Sequence, residues 1–80
     1  MTVAKVYVTL KQSVLDPQGQ AIKQSLDTLG FQHLRDVRLG KYLELKFEGL
    51  EPEAVRQEAE RMCEKLLANP VIENYRVEVG

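Results

Sequence analysis

The chain has 80 residues, with 11 basic and 12 acidic side chains that nearly cancel. That length allows one domain and a thin core, and the balanced charge excludes a general nucleic-acid binder or an acidic disordered tail. A single cysteine excludes an internal disulfide and suits a reducing compartment, while the absence of a signal-like N-terminus or a membrane-length apolar run points to the cytoplasm.

Residues 3–11 alternate. Ala4, Val6, Val8 and Leu10 point one way, and Val3, Lys5, Tyr7, Thr9 and Lys11 the other, which predicts a strand with one buried face. Asp16-Pro17 then predicts a helix start. The carboxylate can accept from an orphan amide, and proline at the first helical position loses no hydrogen bond. Ile22, Ser25, Leu26 and Leu29 follow at helical spacing. Gly30 predicts the stop, because glycine takes the left-handed conformation freely, with Phe31 packing back on Leu26.

Residues 32–48 read as extended. Leu43, Leu45 and Phe47 alternate with Tyr42, Glu44, Lys46 and Glu48, and Val37 and Leu39 alternate with Asp36 and Arg38. Gly40 between these halves fits either a tight hairpin turn or a bulge in one long bent strand. Pro52 opens a second helix with Glu51 and Glu53 near its positive end. Its stripe is Val55, Ala59, Met62 and Leu66, widened by Cys63 and Leu67. Asn69-Pro70 stops it, and residues 71–79 form a last strand.

The expected fold is α+β, a ferredoxin-like two-layer β-α-β(β)-α-β domain spanning residues 1–80, with two helices on one face of a mainly antiparallel sheet. The uncovered face would carry Tyr7, Tyr42, Glu44, Lys46 and Arg76, with Val3 and Ile72. Tyrosines among charges suit a protein–protein contact.

Few residues offer chemistry. His33 is the only histidine and has no evident partner for base or metal work. Cys63 lies beside an apolar stripe next to Glu64, which disfavours a thiolate. Gly40-Lys41 lacks the spacing of a phosphate-binding loop. Arg35, Arg38 and Lys41 cluster around one glycine, either as an anion or acidic-partner patch or as a solvated strand edge. The alternating acids and bases of the second helix read as a solvated face. Tyr7 and Tyr42 lack the glycine-rich context of an RNA-binding sheet. No catalytic, cofactor or metal residue emerges, and no nucleic acid or membrane is expected as a partner.

Three blocks carry a resemblance. They are Val6-Tyr7-Val8-Thr9-Leu10-Lys11 with Val14-Leu15-Asp16-Pro17-Gln18-Gly19, then Asp36-Val37-Arg38-Leu39-Gly40-Lys41-Tyr42-Leu43-Glu44-Leu45, then Cys63-Glu64-Lys65-Leu66-Leu67-Ala68-Asn69-Pro70-Val71-Ile72-Glu73-Asn74-Tyr75. Together they resemble the PurS family, the small subunit of phosphoribosylformylglycinamidine (FGAM) synthase, over nearly the whole chain.

The resemblance implies a non-catalytic subunit in de novo purine biosynthesis. The reaction converts formylglycinamide ribonucleotide, ATP and glutamine to FGAM, ADP, phosphate and glutamate. The chain would bridge a glutaminase subunit and a large synthetase subunit, assist ammonia transfer, and form a homodimer or higher oligomer. ATP and Mg²⁺ would be used by the synthetase partner, with no cofactor on this chain. Tyr7 and Tyr42 are expected in a self-association face, and Arg38 and Lys41 against acidic partner groups. The alternatives are a small-ligand-sensing domain of the ACT type, also ferredoxin-like, and a self-contained enzyme.

Overall fold

The computed structural model describes all 80 residues, Met1–Gly80. Strand β1 (Thr2–Leu10) is followed by helix α1 (Pro17–Thr28), strand β2 (Gly40–Phe47), helix α2 (Pro52–Met62), a π-helical turn (Cys63–Leu67) and strand β3 (Glu73–Val79). The three strands form one antiparallel sheet in the order β2-β1-β3. The α+β class and the antiparallel sheet follow the sequence pattern.

Period-two alternation decides the two faces of the sheet. Ala4, Val6 and Val8 of β1 are buried on one side and pack with Val55, Ala59, Cys63 and Ala68. Leu43, Leu45, Tyr75, Val77 and Val79 complete this side. The core row of α2 is Val55, Ala59 and Cys63, each fully buried, at a spacing of four. The expected stripe through Met62 and Leu66 is displaced: Met62 is 39% exposed and Leu66 83%. The π turn explains the displacement. Its wider winding, closed by the Ala68 N–H donating to the Cys63 carbonyl at 3.0 Å, carries a period-four row straight on to Leu67 and Ala68.

Both ends of α1 form as its residues dictate. Asp16 accepts from the Gly19 N–H at 2.9 Å, and Pro17 occupies the first turn. Gly30 has φ of 102°, with its N–H donating to the Asp27 carbonyl and the Phe31 N–H to the Leu26 carbonyl. That is the paired Schellman arrangement.

The placement of α1 departs from the two-layer expectation. Only α2 lies on the sheet, against β1 and β3, and α1 meets every other element marginally at most. The molecule measures 50 × 25 × 14 Å, with a radius of gyration of 16.1 Å. A compact chain of this length would have about 12 Å. Leu29 and Phe31 are 73% and 59% exposed accordingly.

The segment before Gly40 also differs from the sequence reading. Residues 32–39 form an irregular connection, and β2 begins at Gly40 in register with Thr9. Gly40 is therefore neither a hairpin turn nor a bulge. Residues ahead of it have no neighbouring strand in the chain, so their alternation has no ladder to join. At the other end, β3 starts at Glu73 rather than Val71. Asn69 turns the chain there, its side chain accepting from the Val71 N–H and its carbonyl from the Ile72 and Glu73 N–H groups.

Candidate functional site

The face of the sheet opposite α2 is uncovered, and strand register assembles a row of side chains across it. Tyr42 of β2, Tyr7 of β1 and Arg76 of β3 stand directly opposite one another. The tyrosine rings are 5.1 Å apart between centroids at 40°. The Arg76 guanidinium lies 4.3 Å from the Tyr7 ring centre. Each cross-strand contact of this kind contributes about 0.5–1 kcal/mol at an exposed site.

A second row, Glu44–Lys5–Glu78, lies alongside the first. Its acids tie back to the aromatic row. Tyr42 donates to Glu44 at 2.9 Å, Tyr7 donates to Glu78 at 3.3 Å, and Arg76 pairs with Glu78. Because Tyr42 donates to a carboxylate, losing its proton would set two negative charges together. The Glu44 bond, reinforced by partial desolvation, pushes the Tyr42 phenol up to about 12.

Arg38 and Lys41 lie away from that face. One terminal nitrogen of Arg38 donates to the carbonyls of Lys11 and Val14, at 2.8 and 2.9 Å, pinning residues 36–39 to the loop after β1. Lys41 is exposed and donates to the carbonyl of Leu67 at 3.2 Å. Asp16 completes this junction, accepting from the Leu39 N–H at 2.7 Å. The cluster of Arg35, Arg38 and Lys41 is thus divided, with Arg38 engaged within the chain.

The residues weighed for catalysis do not converge. His33 is exposed and lines a surface cavity of about 610 Å³ with Leu26, Phe31 and Leu34. Cys63 is fully buried in the core, and burial, with Glu60 and Glu64 nearby, pushes its thiol up. No group of three His, Cys, Asp or Glu side chains is placed to hold a metal ion. No helix is long and apolar enough to cross a membrane.

A family model described as PurS, phosphoribosylformylglycinamidine (FGAM) synthase, matches residues 3–80. The chain belongs to the PurS family. The PurS subunit of FGAM synthase from Bacillus subtilis is 52% identical over 75 residues, covering 94% of this chain and 88% of that protein. The crystal structure of Methanocaldococcus jannaschii PurS, a subunit of formylglycinamide ribonucleotide amidotransferase in the purine biosynthetic pathway, superposes with a TM-score of 0.90 at 41% identity, covering 100% and 96% of the two chains. A chain of the PurLQS structure from Thermotoga maritima gives 0.86 at 30% identity, with 100% and 99% covered. PurS is a subunit of FGAM synthase, and the PurS fold here presents two uncovered surfaces, the open sheet face and α1.

Arg76 and Glu78 had no separate signal in the sequence beyond their outward phase. Their contacts with Tyr7 need the β1–β3 register, which joins residues about seventy positions apart.

Proposed function

We propose that this chain is the non-catalytic docking subunit of a split FGAM synthase, joining a glutaminase subunit to a large synthetase subunit. The single observation that carries the docking role is the Tyr42–Tyr7–Arg76 row on a sheet face that nothing in the chain covers. Tyrosine and arginine bury large areas while keeping a polar end for hydrogen bonding, so they anchor protein interfaces well. The family match over residues 3–80 supplies the enzyme.

In this reading the chain contributes by excluding water. Ammonia released into neutral water is protonated and loses its nucleophilic lone pair, so a covered joint between two active sites preserves the reactive form. ATP and Mg²⁺ act on the synthetase subunit, and this chain holds no cofactor. Tyr7 and Tyr42 meet another polypeptide through the open face, and the exposed Lys41 ammonium faces acidic partner groups. Arg38 supports Lys41 from behind by fixing the connection that leads into β2. The chain works in the cytoplasm as a homo-oligomer.

The test mixes this chain with candidate glutaminase and synthetase subunits. Complex mass is followed by light scattering, and glutamine-dependent FGAM synthesis is assayed with and without the chain. Synthesis that requires the chain, and that falls with Tyr7→Glu/Arg76→Glu while ammonia-dependent synthesis persists, supports the reading. Full glutamine-dependent synthesis without the chain refutes it.

A further inference from the structure

A cavity of about 300 Å³ opens where the start of α1 meets one end of the sheet. Strand register accounts for half of its lining. Lys41 of β2 stands opposite Val8, and Glu73 of β3 stands opposite Leu10. Residues directly opposite share a side, so all four lie on the side of the sheet where α2 packs. Asp16, Gln18, Leu39 and Gly40 close the remaining wall.

The charges in this wall are of two kinds. Asp16 is 4% exposed and already answered: its oxygens accept from the Gly19 and Leu39 N–H groups, with the Arg38 charge nearby. Lys41 and Glu73 do not answer each other, since neither takes part in any of the four ion pairs of the chain.

Backbone groups of one short stretch hold them instead. The Lys41 ammonium donates to the Leu67 carbonyl at 3.2 Å, and a Glu73 carboxylate oxygen accepts from the Asn69 N–H at 2.7 Å. Two residues of backbone reach about 7 Å at most, so a cation and an anion are kept near one another without touching. After these bonds Lys41 retains two N–H donors, and Glu73 retains its second oxygen.

We propose that this cavity binds a free α-amino acid with an apolar side chain, its carboxylate accepting from Lys41 and its ammonium donating to Glu73. Each bond is charge-assisted and about 2.8 Å long, and one carbon of the ligand joins the two charged groups. A plain anion or a plain cation would leave one wall charge desolvated and unanswered. Val8, Leu10 and Leu39 offer the side chain an apolar surface. A volume of about 300 Å³ lies at the small end of ligand sites and suits an amino acid better than a nucleotide. The site does not depend on the docking role. It touches that role at one residue, because a Lys41 ammonium holding a ligand is no longer free for acidic groups of a partner.

The test titrates the full-length, nitrogen-15-labelled chain with leucine and follows backbone amide shifts by NMR. Saturable shifts are expected at Gly19, Leu39, Lys41, Asn69 and Glu73, with a dissociation constant of about 1 mM. Lys41→Gln keeps a donor for Leu67, and Glu73→Gln keeps an acceptor for Asn69. Each is expected to weaken binding about tenfold or more, because only the charge-assisted bond to the ligand is lost. Circular dichroism checks the fold of both variants.

A second arm needs no variant. Leucine without its ammonium is 4-methylpentanoate, and leucine without its carboxylate is 3-methylbutylamine. Each is expected to bind the unmodified chain about tenfold more weakly than leucine. Absence of saturable shifts with leucine, shifts confined to other parts of the chain, unchanged binding in both folded variants, or equal binding of either half-charged analogue would overturn the proposal.

Discussion

Asp16 and Leu39 are joined across the chain by one charge-assisted hydrogen bond, the Leu39 N–H donating to a carboxylate oxygen of Asp16 at 2.7 Å. The other oxygen accepts from the Gly19 N–H at 2.9 Å, so one side chain both caps α1 and fixes the entry to β2. The Leu39 bond, then the Gly19 bond, and the nearby Arg38 charge hold the Asp16 carboxyl below its ordinary value, against an opposing effect of burial. A depressed carboxylate stabilises the fold above its unfolded pKa, and that stabilisation is lost as the pH falls through the folded value. Asp16→Asn is expected to lower the melting temperature at neutral pH by roughly 5 °C, with the gap to the unmodified chain closing below about pH 4. Thermal melts across that range check it; a constant gap would refute the ionic part of the account.

Gly19→Ala reverses the usual sign of a glycine substitution in a helix. Alanine normally gains about 1 kcal/mol there. Here the new Cβ would meet the Val37 carbonyl oxygen at 2.1 Å, and a backbone group cannot yield cheaply. A net loss of about 1–3 kcal/mol is expected in denaturant unfolding. Gly30→Ala is a useful contrast. Nothing lies near its Cβ, so only the φ of 102° is strained, costing about 1 kcal/mol.

Tyr42 sets an alkaline limit. A phenol raised from its ordinary value of 10.0 to about 12 favours the folded state while protonated. Its contribution is complete below pH about 10 and is lost as the pH climbs toward 12. Phenolate absorbance should show Tyr42 titrating near the top of that range, with Tyr75 also raised above its ordinary value by burial, and Tyr42→Phe should remove the Tyr42 step. Tyr42→Phe is expected to lower melting modestly at neutral pH, where the bond to Glu44 is lost, and to flatten the alkaline loss, so that the gap to the unmodified chain closes as the pH climbs toward 12.

Cys63 is expected to behave as a core residue. Its thiol is fully buried and its pKa raised, so a thiol reagent should react at the rate of unfolding rather than at the rate of a free thiol. Cys63→Ser is expected to cost about 1–3 kcal/mol, because the hydroxyl enters an apolar site among Val6, Val8 and Ala68. Rapid labelling of the native chain would contradict this placement.

Much of the local structure was legible in the residues. Asp16, Pro17 and Gly30 mark the ends of α1 because their preferences come from their own backbone and side-chain chemistry. The alternation of Ala4, Val6 and Val8 against Lys5 and Tyr7 marks the two faces of β1 for the same reason. The uncovered sheet face was legible in composition, since Tyr7, Tyr42 and Arg76 all carry the outward phase. Their meeting in one row was not, because register links strands distant in sequence. Arg38 reads in the sequence as one of a basic cluster with Arg35 and Lys41, and its engagement within the chain had no local signal. The carbonyls of Lys11 and Val14 that engage it are brought there only by the folded loop.

The sequence by itself determined the two helices and the ends of α1, the two faces of β1, and the family, because these depend on neighbours within a few positions or on the identity of whole blocks. Tertiary structure alone decided that α1 leaves the sheet, that Gly40 begins β2, and that Met62 and Leu66 turn outward past Cys63. An apolar stripe records that a helix face must be covered but carries no record of what covers it. That choice is made by contacts such as Asp16 with Leu39, whose energy exists only once distant parts of the chain have met.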